Sequence, residues 1–292
     1  MSGVRHGRTE EIAGASQGNR LTPREMTTRD PFQVLQGTIE RELRIRCSQY
    51  KEDYIKRRIL SRMRVTGKDT FEDYHLFITT HAAEMENLKN ALTINVTKFF
   101  RDPEVFEKIE TVVLPALFAR KKRIHVWCAG CSSGEEAYSL AILLHEYAAT
   151  HPGISGLIYA TDIDDTILKK AQEGVYDATA LEHVRATRRK HDFIPQEDGR
   201  FAIQPWLKEL VRFRHHDLMA DAPISRFLDF ITCRNVTIYF TEPQKNDVAR
   251  LFHGALASDG YYVMGKTEYM GRDIEGLFVP MDPIQKIYQK KG

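Results

Sequence analysis

The 292 residues carry 42 Lys and Arg against 40 Asp and Glu, a formal net charge of +2, with 42% hydrophobic and 28% charged residues. A balance this near neutral gives no composition-level argument for nucleic acid or a membrane surface, and the chain can bury a sizeable core. Four cysteines (Cys47, Cys128, Cys131, Cys233) are too few for a disulfide scaffold, so a reducing cytoplasm is expected; without 18 consecutive apolar residues, neither a spanning helix nor a secretory signal is expected.

Residues 1–29 hold few large apolar side chains and read as a flexible tail, because too little surface is buried to offset ordering entropy. Asp30-Pro31 is a good helix start. From there to residue 95 apolar residues fall at helical spacing (Phe32, Leu35, Ile39, Leu43; Tyr54, Ile55, Ile59, Met63; Phe71, Tyr74, Phe77, Ile78; Met85, Leu88, Leu92). A break at Gly67-Lys68-Asp69 leaves Asp69 or Thr70 to cap the next helix. This is a small all-helical N-terminal domain, residues 30–95. Beyond it, strand-length apolar runs at 124–128, 157–161, 210–213, 228–232 and 261–264 alternate with helical stretches at 135–148, 166–172 and 242–256. Such alternation calls for crossover connections, and hence an α/β domain with a doubly wound, mostly parallel sheet over residues 96–292. The piece from 278 to 289 reads as a terminal hairpin.

The stretch RIHVWCAGCSSGE, residues 123–135, admits two readings. C-x-x-C after a tryptophan suggests a thioredoxin-type redox site, but no later strand order supplies the rest of that fold. Strand, small-residue loop and helix suggest a nucleoside site at the carboxyl end of a parallel strand, with free N–H groups at the helix start. G-x-G-x-x-G is absent; Gly130 and Gly134 stand alone. The next strand ends on Asp162, placed to accept hydrogen bonds from ribose hydroxyls. Glu135 and Glu136 at the helix start would repel a phosphate. A ligand with a ribose and a cationic amine fits better, and S-adenosylmethionine is such a ligand. Cys128 and Cys131 are then small fillers beside a buried strand.

Three further stretches, TINVTKFFRD (93–102), the loop with its ATDID strand, and FITCRNVTIYF (230–240), together resemble the CheR-type chemoreceptor methyltransferases. The likeness runs from Pro31 to the C-terminus. It implies a Rossmann-like fold and transfer of a methyl group from S-adenosylmethionine to receptor glutamates. It implies that Asn95, Thr97 and Arg101 line cofactor and acceptor, that Gly130 lies in the cofactor loop, that Glu135 meets the methionine end, and that Asp162 meets the ribose. Asp217 and Leu218 would flank the adenine; the family more often has asparagine at the first. Arg234 and Asn235 would touch the cofactor, with Tyr239 near the acceptor and Arg101 and Tyr239 as the catalytic pair. No metal is implied. Some members grip a pentapeptide at the receptor tail through a glycine-rich loop in a small three-stranded insertion. The matching stretch here, HDFIPQEDGRFAI, is short and holds only Gly199, which implies independence from such a tether.

Residues 41–64 hold nine basic side chains against Glu42, Glu52 and Asp53. Read as one basic helix, Arg41 to Arg64, with Arg58 and Arg62 one turn apart, it would dock the acidic methylation helices of a receptor. Neither nucleic acid nor direct membrane insertion is expected. The alternatives are a methyltransferase of another acceptor and a non-catalytic S-adenosylmethionine-binding signalling module. The first is disfavoured because amino-methylating nucleic-acid enzymes show a D/N/S-P-P-Y/F turn where this chain has CRNV.

Overall fold

The computed structural model describes residues 30–93 and 97–292. The expected tail, 1–29, and Asn95 lie outside the described residues.

The first unit is a bundle of α1 (Pro31–Leu43), α2 (Glu52–Thr66), α3 (Phe71–Thr80) and α4 (Ala82–Leu92). The Asp30 carboxylate accepts from the Phe32 N–H at 3.1 Å, with Pro31 in the first turn. Thr70 caps α3 by accepting from the Asp73 N–H at 3.1 Å, while its hydroxyl donates back to the Asp73 carboxylate at 2.8 Å. The apolar stripes close on one core containing Leu35, Ile39, Ile55, Ile59, Tyr74 and Leu88. The basic run is not one helix: α1 ends at Leu43, Arg44 is left-handed (φ 57°), and α2 begins only at Glu52. Arg62 is turned inward, paired through two nitrogens with Glu84, which also accepts from the Tyr74 hydroxyl at 2.8 Å. Lys56, Arg57 and Arg64 are exposed on α2 and Arg58 is half-buried; Arg62 belongs to the bundle.

Helices α5 (Pro103–Lys108) and α6 (Leu114–Phe118) are joined by a π-helical turn, Ile109–Val113, just ahead of Pro115, whose missing N–H breaks the regular ladder. Then follow β1 (Arg123–Ala129), α7 (Glu135–Thr150), β2 (Ser155–Asp162), α8 (Asp165–Glu173), β3 (Val175–Tyr176), α9 (Ala186–Asp192), β4 (Phe193–Pro195), β5 (Phe201–Ile203) and α10 (Pro205–Glu209). The last elements are β6 (Val211–His215), β7 (Leu228–Cys233), α11 (Glu242–Ala255), β8 (Leu256–Met264), α12 (Arg272–Glu275), β9 (Phe278–Asp282) and β10 (Ile287–Lys290). The main sheet has the order β6-β2-β1-β7-β8-β10-β9, parallel from β6 to β8 and antiparallel over the terminal hairpin. A second sheet, β3-β5-β4, was not foreseen as strands; its β4–β5 hairpin turns at Gly199 (φ 81°).

Both faces of the main sheet are covered, by a cluster around Phe99, Phe106, Tyr138 and Leu143 on one side and Trp127, Phe252 and Tyr262 on the other. Trp127, fully buried, donates its indole N–H to the Thr161 hydroxyl at 2.8 Å. Strand order reverses at β1, which pairs β2 on one side and β7 on the other. The carboxyl ends of β1, β2, β6 and β7 therefore open one crevice.

Candidate cofactor and active site

The crevice encloses about 1000 Å³ of non-protein space, part of it open to solvent. Its walls include Thr97, Arg101, Gly130, Asp162, Asp217, Leu218, Arg234, Asn235 and Tyr239. The structure thus brings together nine of the eleven residues singled out from sequence, leaving Asn95 undescribed and Glu135 on an adjoining cavity.

The loop after β1 is pinned to the tip of β2. The Gly130 and Cys131 N–H groups both donate to the Thr161 carbonyl at 2.8 Å, and the Ser132 N–H donates to the Asp162 carboxylate at 2.8 Å. Gly130 is left-handed (φ 72°), and a Cβ there would lie 2.4 Å from a Val236 methyl, so only glycine lets the two loops close. Asp162 also accepts from the Asp164 N–H at 3.1 Å; burial pushes its carboxyl up, against the pull of these donors. The Ser132 hydroxyl and His216 Nδ1 are buried without a protein partner on the same walls. These, with Asp162, are the polar groups a nucleoside needs.

Cys128 and Cys131 are buried free thiols, and burial pushes both well above the ordinary thiol range. Burial disfavours the reactive thiolate, and both pack as small groups in the core beside β1.

On the opposite wall the segment 97–102 carries Arg101 between two left-handed residues, Phe100 (φ 51°) and Asp102 (φ 57°). The Phe100 N–H donates to the Ser139 hydroxyl at 2.9 Å. The Arg101 carbonyl accepts from Arg234 at 2.8 Å, and Arg234 also binds Asp102 at 2.6 Å and Glu136 at 3.0 Å. Arg234 therefore spends its buried guanidinium on bracing the walls. Tyr239 ends a 3-10 turn, Thr237–Tyr239, with its ring 4.7 Å from that of Tyr54 in the bundle; burial pushes its phenol up. The bundle closes the crevice: Ile45, Tyr50, Leu92 and Thr93 line it, the Lys51 N–H donates to the Tyr239 carbonyl at 3.0 Å, and Lys89 pairs with Asp164 at 3.1 Å.

Residues 30–93 match the family described as CheR methyltransferase, all-alpha domain, and residues 95–283 match CheR methyltransferase, SAM binding domain. The chain belongs to the CheR methyltransferase family. Its members here include a chemotaxis protein methyltransferase of Listeria innocua, 35% identical over 231 residues (79% of this chain, 86% of the relative). A namesake from Borreliella burgdorferi is 31% identical over 250 residues (82% and 88%). Chemotaxis protein methyltransferase 1 of Pseudomonas aeruginosa is 32% identical over 245 residues (81% and 89%). The chain is thus an S-adenosylmethionine-dependent methyltransferase built on an all-α domain and an α/β domain. Among the described residues no helix is long and apolar enough to cross a membrane.

Glu135 and Glu136 part company at the start of α7. Consecutive helical residues point about 100° apart, so Glu136 faces the crevice while Glu135 lines the adjoining cavity with Ser133, Tyr176 and Lys170. Thr97 borders both cavities. The Ser133 hydroxyl donates to Glu135 at 2.6 Å, and burial pushes the Glu135 carboxyl up to about 7. Sequence reasoning missed Tyr50, Ser132, Glu136 and His216 as lining residues; Tyr50 follows a helix break that no motif marks.

Proposed function

We propose that this enzyme methylates glutamate side chains of cytoplasmic chemoreceptor helices. The observation that carries the reading is the crevice itself, whose lining combines acidic and buried polar groups with Arg101 and Tyr239. Asp162, Ser132 and His216 suit the ribose and base edges, Leu218 and Asp217 the adenine, and Glu135 a cationic amine. S-adenosylmethionine, when bound, supplies a methyl group made electrophilic by its sulfonium. The acceptor carboxylate is already ionised near pH 7, so the chemistry calls for no general base. The protein's part is to strip water from that carboxylate, which costs several kcal/mol, and to aim it, which is worth roughly 7–11 kcal/mol. Arg101 supplies the compensating cation, and the Tyr239 hydroxyl holds the second oxygen.

The exposed cations of α2 (Lys56, Arg57, Arg64) and half-buried Arg58, whose guanidinium sits 5.5 Å from the Tyr54 ring, provide a docking face for acidic receptor helices on the route to Tyr239. The three-stranded sheet β3-β5-β4 is present, and only its short β4–β5 turn with the single Gly199 supports independence from a receptor-tail tether. Incubating the protein with methyl-labelled S-adenosylmethionine and receptor-bearing membranes is expected to put base-labile label on the receptors. The rate should fall as salt is raised and stay unchanged when the receptor tail is trimmed. No label on any receptor would end this reading; loss of labelling on trimmed receptors would end only the tether-free part.

The raised Glu135 carboxyl gives a pH signature. Its charged form predominates only above about 7, and an ammonium group binds that form. Adenosylhomocysteine affinity, by calorimetry, should weaken about tenfold for each pH unit below 7, and Glu135→Gln should bind weakly and without that slope. The folded-state value lies above the ordinary 4.5, so the stability this group contributes is complete below about 4.5 and is lost as pH rises to about 7. Above pH 7 the ligand-free Glu135→Gln variant should therefore be more stable than the parent, by about 3 kcal/mol. A flat binding profile in the parent would remove Glu135 from the site.

A further inference from the structure

The Glu268 carboxylate, 2% exposed on the loop after β8, accepts five hydrogen bonds from groups that surround it. One oxygen accepts from the Val236 N–H at 3.0 Å, the Thr237 N–H at 2.7 Å and the Thr237 hydroxyl at 2.8 Å. The other accepts from the Asn235 N–H at 2.9 Å and the Gly265 N–H at 2.6 Å. A carboxylate so far from water is normally neutralised by a cation; here backbone dipoles do it. The donors are the successive N–H groups of a left-handed residue, Asn235 (φ 60°), and of the 3-10 turn that follows. Converging N–H groups of this kind form an anion nest, and the chain fills its own nest with Glu268. The fit is close: a Cβ on Gly265 would lie 2.7 Å from the carboxylate and 2.8 Å from the Asn235 nitrogen.

The captured loop carries Arg234, Asn235 and Tyr239, all on the crevice wall. Without an internal anion, four N–H groups would turn to water and the left-handed turn at Asn235 would lose the contact that holds it. We propose that Glu268 is the positioning residue of the methyl transfer, fixing Asn235 toward the cofactor and Tyr239 toward the acceptor without touching either. The inference rests on the functional reading above. Glutamine at 268 keeps shape but presents an amide N–H₂ to N–H donors, so at least two of the five bonds are lost.

The test is steady-state methylation of receptor membranes, with active sites counted by adenosylhomocysteine binding. Glu268→Gln is expected to lower kcat per binding site by about 10²-fold, the cost of displacing a positioning group by an ångström, while KM for S-adenosylmethionine moves far less, because Asp162 and its loop are untouched. Glu268→Asp, which keeps the charge on a shorter arm, should fall between the two. A purely structural Glu268 would instead lower the melting temperature and the number of binding sites but leave kcat per site within twofold of the parent, and that result overturns the proposal. Should Glu268→Gln not fold, Thr237→Val decides. It removes one donor to the carboxylate, and kcat per site should drop about threefold to tenfold; an unchanged kcat overturns the proposal. An inactive parent protein would overturn this inference and the functional reading together, whereas an active parent with unimpaired variants overturns this inference alone.

Discussion

Arg101→Ala is expected to lower kcat/KM for the receptor by about 10²- to 10³-fold, the range seen when one electrostatic contact to a reacting group is removed, with little change in adenosylhomocysteine affinity. An acceptor glutamate entering the crevice leaves bulk water for a wall of Tyr239, Tyr50 and Leu92. Desolvation alone favours its neutral acid, which is no nucleophile. A cation beside it reverses that preference, and the fold invests in holding this one. Left-handed residues on both sides of Arg101 cost on the order of 1–3 kcal/mol each. The Ser139 hydroxyl and Arg234 hold the distorted backbone through the Phe100 N–H and the Arg101 carbonyl. Two results separate this role from mere structural damage. In Arg101→Ala the rate should climb with pH above 7, as the desolvated acceptor must now lose its proton unaided. Arg101→Lys, with the charge but not the planar fork, should recover part of the loss. An alanine variant within threefold of the parent would show that the acceptor is held elsewhere.

How much of this was legible beforehand depends on the range over which each signal acts. Strands β1, β2, β7 and β8 announced themselves through apolar runs, whereas β6 (VRFRH) is mostly exposed and showed itself only by the short run at 210–213; the crevice follows from strand alternation. Asp162 was readable as the tip of the second such strand. Strands β3, β4 and β5 were not, since two or three residues show no period and are held by mutual pairing and by distant core contacts such as those of Tyr176 and Phe193 with Phe99. The basic run misled because charge says nothing of where a helix stops: the break lies at Arg44, a residue type that does not advertise a left-handed turn. Arg62 and Glu84, 22 positions apart, find each other only in the folded bundle. Glu135 and Glu136 are identical in type and adjacent in sequence, and only the phase of α7 assigns them to different cavities. Nothing in the sequence marks Glu268, because its five donors come from the loop after β7 and from Gly265 and meet it only in the fold.

Arg234→Met is expected to be the most destabilising single change at the site, about 3 kcal/mol, or roughly 6–12 °C in melting temperature. The Arg234 side chain is 1% exposed and reaches three groups on two segments: Asp102 and the Arg101 carbonyl ahead of α5, and Glu136 in the first turn of α7. It also lies 5.3 Å from the Phe106 ring. Removing one partner of a buried ion network leaves the others charged and uncompensated, at about 3–5 kcal/mol. The lower end applies because Asp102 and Glu136 keep 29% and 13% of their side-chain surface in solvent. Arg234→Lys should cost about half as much, since one ammonium reaches fewer of the three acceptors. The structural and functional losses should be coupled: without its donor, the Arg101 carbonyl no longer anchors the distorted segment. Arg234→Met should therefore combine with Arg101→Ala non-additively, the double variant falling in kcat/KM hardly below Arg101→Ala alone. Strict additivity in that cycle would mean that Arg234 serves the reaction by touching the cofactor directly, and the bracing role assigned to its guanidinium would have to be given up.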